Sequence, residues 1–229
     1  ERLGEIFAGW ARRYIPDPFL FAVVLTFLTW AMGVFLTPAG PIKMIIYWAE
    51  GFWGLLAFGM QMCLILVTGF ALASSPAIRW LIDRIASLPQ STRSAAFLIA
   101  LISCVMSFIN WGLGMIVGAF LVKEVGLRAE ERGFRFHYPL LGAAAYGGFL
   151  VWHGGFSGSA PLTAASADPA SNILIDKIGI VPVSTTLFSP LNLVLNALLL
   201  CLIPFLCLFL APRDKGRVQS PSEICPDIR

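Results

Sequence analysis

The chain has 229 residues, of which 58% are hydrophobic and 13% are charged, and its formal net charge is +3. This charged share is about half that of a typical soluble domain, which excludes an ordinary soluble protein and a disordered chain. The basic residues form no tract suited to nucleic acid, and the five cysteines have no CxxC spacing, so we expect neither a nucleic-acid partner nor a metal site. A mean hydropathy of +0.80 instead predicts a polytopic membrane protein.

Five uncharged stretches are long enough for the roughly 20 residues of helix that cross the hydrocarbon core. The first, second and last stretches predict spans at Phe19–Thr37, Phe52–Ala73 and Ser189–Ala211. In the last span Asn192 and Asn196 lie four residues apart and therefore share one helix face. The five stretches are 18–42, 51–78, 94–122, 136–167 and 178–212.

Two shorter segments are amphipathic. Apolar residues recur at helical spacing in residues 1–15 and again in 76–88, where Arg79, Asp83 and Arg84 lie opposite them. Helices of this kind lie in the plane of the membrane interface, and we predict that arrangement for both segments. Simple loop caps are the alternative interpretation.

The third stretch, 94–122, predicts a hairpin that turns back inside the membrane. As one helix it would be about 43 Å long, well beyond the roughly 30 Å core. Asn110–Gly114 interrupts it with residues that form helix poorly, and the two halves of 12–16 residues are too short to cross. Turning back also leaves every Lys and Arg except Lys43 and Lys177 on one side, which the positive-inside rule makes cytoplasmic. Both termini are then cytoplasmic.

The fourth stretch predicts a discontinuous span. Trp152–Pro161 contains three Gly, two Ser and a Pro, a composition that does not sustain a helix. We predict a first leg over 139–152, an unwound linker over 153–158 and a short second helix capped by Ser159. Free N–H groups at such a break suit a carboxylate, and the free carbonyls suit a small cation. A kinked span whose glycines serve only helix packing is the alternative.

The first break, Asn110–Gly114, and the second break, Gly154–Ser159, are both expected to leave peptide groups unpaired at membrane depth, and they supply the candidate substrate-binding residues. A coupling ion has a separate candidate set, since Ser107 shares a helix face with Asn110, and His153 is ionisable within an apolar stretch. A helix-end histidine bonded to the backbone is the alternative for His153. No carboxylate pair, P-loop or hydrolase motif is present, so we expect no enzyme. The substrate-binding candidates are Asn110, Trp111, Gly112, Gly154, Gly155, Ser157, Gly158 and Ser159.

Four motifs resemble the bacterial short-chain fatty acid transporter family. They are Pro16–Pro18, Gly51–Met62, Ile109–Gly112 and Gly154–Leu162, and the similarity covers nearly all of residues 1–211. The resemblance implies an inner-membrane carrier for acetoacetate, butyrate and similar monocarboxylates. It also implies kinship with anion carriers built from two inverted repeats. The candidate site residues come from the breaks and not from the resemblance.

Taken together, these patterns predict an all-α polytopic membrane domain over 1–211, with four spans, one of them discontinuous, and one re-entrant hairpin. Residues 212–229 predict a disordered polar tail that does not resemble the family. Family members are about twice as long and the chain begins with Glu, so we expect a fragment that resembles one repeat and needs a second repeat or a homo-oligomer. A truncated, non-transporting remnant or subunit and a channel are the alternatives. Coupling to H⁺, coupling to Na⁺ and uncoupled transport all remain open.

Overall fold

The computed structural model describes residues 7, 9–11, 13–15, 17–169, 172–212 and 218–225. Every regular element within these residues is helical, which confirms the predicted all-α fold. A 3-10 helix, Gly148–Gly154, directly follows the seventh α-helix. The α-helices are α1 (Pro18–Leu36), α2 (Pro41–Gly54), α3 (Leu56–Ala73), α4 (Pro76–Ala86), α5 (Thr92–Ile109), α6 (Trp111–Glu131), α7 (Tyr138–Gly147), α8 (Ser159–Ala164), α9 (Ile175–Ile178), α10 (Val183–Leu187), α11 (Pro190–Leu210) and α12 (Pro221–Ile224).

Among the described residues, four helices are long and apolar enough to cross a membrane, as many as predicted. Two of them, α1 and α11, match the first and last predicted spans closely. The second runs from Pro41 to Leu72, so the helical region begins well before Phe52, where the predicted span starts. Proline is well tolerated in the first turn of a helix, and Pro41 begins α2 instead of marking a turn. The fourth is α5 and not the broken stretch, which contains no helix of comparable length.

The two segments predicted as interfacial helices differ in how much of them is described. Within residues 1–15, the described residues 7, 9–11, 13 and 14 are helical, and the others lie outside the described residues. The second segment is helical as predicted and forms α4, which packs on α6 with Ile82 and Ala86 buried. An ion pair of 2.8 Å between Asp83 and Arg128 joins the same two helices. The placement of both segments in the membrane interface stays a prediction.

The chain divides into two compact units, Glu1–Cys63 and Leu64–Arg229. In the first unit α1 and α2 pack as a helical hairpin, and the indole N–H of Trp30 donates to the carbonyl oxygen of Pro41 at 3.4 Å. Large apolar side chains cover the exposed faces of both helices, as expected for a surface that meets lipid.

In the second unit α5 is the central helix, with α6, α7, the 3-10 helix and α11 packed around it. Small residues permit this close approach, since Gly114 and Gly118 of α6 face Ser107 and Ser103 of α5 in antiparallel order. The fully buried side chains of α5 are Ala95, Ala96, Ile99, Ala100, Ser103, Cys104 and Ser107.

The helix break expected at Asn110 is present, but the predicted leg lengths are wrong. The incoming helix α5 has 18 residues and the outgoing helix α6 has 21. A reciprocal capping box between Ser91 and Ser94 starts α5 early, ahead of Arg93. The outgoing helix continues past Val122 because its buried face stays apolar while its charged residues lie on the other side. Re-entrance into the membrane stays a prediction.

The structure differs from the predicted disordered tail at residues 218–225, which pack against the ends of α6 and α7. Pro221 is fully buried, and the N–H of Tyr138 donates to the carbonyl oxygen of Gln219 at 2.8 Å. Both the N–H and the hydroxyl of Ser222 donate to the carboxylate of Glu130, at 3.1 and 2.7 Å. Composition indicates a polar segment, but the partners of these groups lie roughly ninety residues away in the sequence and leave no local signal.

Candidate functional site

The first break is a tight helix-to-helix turn at Asn110, which ends α5 and caps α6. Its backbone is extended, with φ −154° and ψ 129°. The side-chain Oδ1 of Asn110 accepts from the N–H groups of Gly112 and Leu113, at 3.0 and 3.2 Å. The remaining N–H of the first turn, that of Trp111, donates to the Oγ of Ser157 at 2.9 Å. The start of α6 therefore has its leading N–H groups bonded by two side chains.

At the second break the α-helix ends earlier than predicted, and the non-helical linker, Gly155–Gly158, is shorter than the predicted 153–158. The α-helix ends at Gly147, and the chain continues as the 3-10 helix until Gly154, so the predicted first leg over 139–152 is α-helical only in its first part. Adjacent glycines at 147 and 148 weaken the α-helix at this point. The short helix α8 is capped by Gly158 and not by Ser159, which is already its first helical residue and makes no capping bond.

The two breaks are in direct contact. The N–H of Phe156 donates to the carbonyl oxygen of Phe108 at 2.9 Å, next to the bond between Trp111 and Ser157. The indole N–H of Trp152 donates to the carbonyl oxygen of Ser157 at 2.9 Å and holds the linker against its own 3-10 helix. A Cβ at Gly155 would overlap the carbonyl oxygen of Phe108, so the approach requires glycine there. All eight substrate-binding candidates thus lie on two segments that touch.

We expected unpaired peptide groups at both breaks, and for the first break this expectation is wrong. Asn110 and Ser157 bond the N–H groups at the start of α6, because an extended residue before a helix places its own side chain over them. At the second break the N–H groups of Gly155, Phe156 and Gly158 are paired as well. Among the described residues of this break, the N–H groups of Ser157, Ser159 and Ala160 have no protein acceptor.

Aromatic rings surround the contact between the breaks. The ring of Trp152 lies 6.0 Å from that of Trp111 and 4.9 Å from that of Phe149, measured between centroids. It also stacks on the imidazole of His153 at 4.0 Å. On the other side Phe108 and Phe156 meet edge to face at 5.4 Å. These rings border the bonded peptide groups of both breaks.

The three candidates for a coupling ion differ in their burial. Ser107 is buried against Gly114, and Asn110 is half-buried at the turn. His153 is exposed at the end of the 3-10 helix, and no hydrogen bond in the described part of the chain joins it to the other two.

Sequence reasoning did not assign Asn192 to the site. The side-chain amide of Asn192 donates to the carbonyl oxygen of Gly154 at 2.9 Å, across 38 residues of sequence. The available signal was the shared face of Asn192 and Asn196 in an otherwise apolar span, since polar side chains inside a membrane are costly and usually have partners.

Comparisons with known proteins agree on one family. The sequence model described as "Short chain fatty acid transporter" matches residues 1–225. Two curated proteins named "Putative short-chain fatty acid transporter" are similar: one from Escherichia coli (strain K12), 42% identical over 95% of this chain, and one from Haemophilus influenzae, 39% identical over 99%. The chain spans 48% and 51% of these relatives, about half their length. The match extends past Pro212, so the prediction that the tail lies outside the family sequence is wrong. No solved structure matches the chain.

Proposed function

Since this chain belongs to the short-chain fatty acid transporter family, we propose that it forms half of a carrier for acetoacetate, butyrate and similar monocarboxylates in the bacterial inner membrane. Membership and the apolar helices make it a multi-pass membrane protein, and a transporter family implies a role other than catalysis. The observation that carries the proposal is the contact between the two breaks, because discontinuous helices mark the binding sites of many secondary transporters.

The bonding at the contact leaves donors available for a carboxylate. Asn110 uses its Oδ1 as an acceptor, and no bond among the described residues uses its Nδ2. Ser157 likewise accepts from Trp111 with its Oγ, which leaves its own O–H to donate. Ser159 adds a hydroxyl, and the N–H groups of Ser157, Ser159 and Ala160 bond no acceptor among the described residues. A substrate carboxylate offers only acceptors, so a site left with unused donors is chemically complementary to it.

The remaining candidates have supporting roles in the proposal. Gly155 lets the two segments approach, and Trp111 borders the site with its ring. Gly112 makes room for Ile65 of α3, Gly154 for the two asparagines of α11, and Gly158 for the carbonyl oxygen of His153. Ser107 and Asn110 are proposed to serve Na⁺ coupling, and His153 to serve H⁺ coupling. Both termini are proposed to be cytoplasmic.

Replacing Ser157 with Ala tests the site. We expect the KM for labelled butyrate in proteoliposomes to rise about tenfold, the effect of losing one hydrogen bond to a charged group. The matched control is Thr29→Ala in α1, whose hydroxyl bonds only the carbonyl oxygen of Leu25 in its own helix, at 2.8 Å. An unchanged KM in Ser157→Ala, together with a functional control variant, would overturn the assignment of Ser157 to the substrate site.

A second candidate function is a membrane subunit that does not transport alone. The half-length match to the relatives favours it. Saturable butyrate flux through liposomes that contain only this chain, purified as a homodimer, would reject it. Flux that fails to saturate would instead indicate a channel.

A further inference from the structure

The last apolar helix carries two asparagines whose side chains turn toward the protein. Asn192 and Asn196 are the only polar residues of α11, which otherwise consists of apolar side chains from Pro190 to Leu210. Asn196 is 4% exposed, and Asn192 is half-buried. Removing two amides from water in an apolar setting is unfavourable unless each amide is bonded, so their partners indicate what they do.

Asn192 joins the ends of two other helices. Its Nδ2 donates to the carbonyl oxygen of Gly154, at the end of the 3-10 helix, and to that of Leu187, at the end of α10, both at 2.9 Å. Carbonyl groups at helix ends have no partner within their helix and need an external donor. One amide therefore bonds the second break, α10 and the start of α11 together.

Asn196 fixes the orientation of that amide. Its Nδ2 donates to the Oδ1 of Asn192 at 3.0 Å and to the carbonyl oxygen of Asn192 at 2.8 Å. With its Oδ1 held in this way, the Nδ2 of Asn192 must face the two carbonyl groups. Gly154 fits tightly into the pair, since a Cβ there would overlap the Nδ2 of Asn196 and lie 2.7 Å from the Oδ1 of Asn192.

We infer that Asn192 is a positioning residue for the substrate site and that Asn196 orients its amide. The inference rests on the proposed function, because the positioned groups are those of Gly154–Ser159. It adds α11 to the elements that fix the site: α5 through Phe108, α6 through Trp111, and α11 through Asn192. Without the amide, Gly154 loses its donor and the linker is free to shift, which moves the hydroxyl of Ser157 away from the substrate.

The decisive variant is Asn192→Asp, which keeps the size of the side chain but removes its N–H donors. Asn192→Ala removes both the size of the side chain and its N–H donors. Asn196→Ala leaves the Asn192 amide free to rotate. Leu195→Ala is the matched control, on an exposed face of the same helix. Two quantities are measured on the full 229-residue chain: the KM for labelled butyrate in proteoliposomes, and amide hydrogen exchange over residues 154–158.

For Asn192→Asp we expect the KM to rise about tenfold and exchange at 154–158 to quicken by a similar factor, the equivalent of one lost bond. Asn196→Ala should produce the same changes more weakly. Leu195→Ala should change neither the KM nor the exchange rate. A purely structural role would lower the amount of folded carrier but leave the KM of the folded fraction unchanged, and that result would overturn the inference.

The two proposals fail in different ways. If Asn192→Asp keeps the parental KM and the parental exchange, the positioning inference is overturned while the carrier stands. If the parental chain shows no saturable uptake, it does not transport by itself, as the second candidate function states, and the exchange measurement alone then decides the inference. Faster exchange confined to 154–158 supports it, and unchanged exchange rejects it.

Discussion

At the scale of single residues, Gly155 determines whether the two breaks can meet. Its missing side chain leaves room for the carbonyl oxygen of Phe108, and the neighbouring N–H of Phe156 then bonds that same oxygen at 2.9 Å. Backbone of one segment therefore lies directly on backbone of the other, without side chains that could adjust to an added atom. The contact between the two breaks therefore depends on this approach.

Gly155→Ala should therefore destabilise the protein. The added methyl group has no space, and overpacking of a fixed contact costs about 1–3 kcal/mol. Thermal unfolding in detergent measures the change. Gly142→Ala, on α7 with no heavy atom within 4 Å of the added Cβ, is the control and should be neutral or slightly stabilising. Equal unfolding temperatures for the two variants would contradict the proposed contact.

At the scale of elements, apolar runs and helix breaks are well predicted from the sequence. Pairing between distant segments is poorly predicted. The first and last spans are correct because Pro and charged residues bound an uninterrupted apolar run. The breaks at Asn110 and Gly154 are correct because Gly and Asn disfavour helix locally. The bond between Trp111 and Ser157 joins residues 46 apart, and no local pattern in a single sequence encodes it. The docked tail likewise depends on partners far along the chain.

The docked tail contains a bond that depends on pH. The N–H of Gln219 donates to the Nδ1 of His137 at 3.3 Å, which requires the neutral imidazole. Burial lowers the pKa of His137 below its ordinary value of 6.5. The stabilisation is therefore fully present above about pH 6.5 and is lost as the pH falls through the lowered pKa. The charged and titratable groups around this contact are Glu130, Arg135, Tyr138, Glu223 and Cys225.

We expect the tail, residues 218–225, to exchange its amide hydrogens faster near pH 5.5 than near pH 7.5, relative to an unstructured peptide at the same pH. His137→Ala should abolish this additional pH dependence. The chain has only one other histidine, so His153→Ala is the matched control and should preserve it. A pH response that persists in His137→Ala would assign the effect to the carboxylates instead.

At the scale of the whole chain, the antiparallel packing of α5 on α6 constrains the topology. The guanidinium of Arg132, at the end of α6, donates to the carbonyl oxygen of Ser87, just before α5, at 2.7 Å. The hairpin therefore returns the chain to the side from which it entered, whether it turns within the membrane or reaches its far surface. The basic residues on both flanks of the hairpin then share one side, as the charge pattern predicts.

Cysteine labelling tests this topology. In a background without the native cysteines, we expect Glu131→Cys to react with an impermeant maleimide only from the cytoplasmic side, because α6 ends there. Lys43→Cys, at the start of α2, should react only from the opposite side. Both positions are exposed, so low reactivity would not reflect burial. Periplasmic labelling at residue 131 would contradict the hairpin.

The double use of the Ser157 hydroxyl has a thermodynamic consequence. Its oxygen accepts from the N–H of Trp111, and its hydrogen remains free to donate. When an anion accepts a hydrogen bond from this hydroxyl, the O–H group polarises and its oxygen becomes a stronger acceptor. Binding of the anion and closure of the two segments therefore reinforce each other. Because this coupling is reciprocal, any change that tightens the segments raises the affinity for the anion by the same factor.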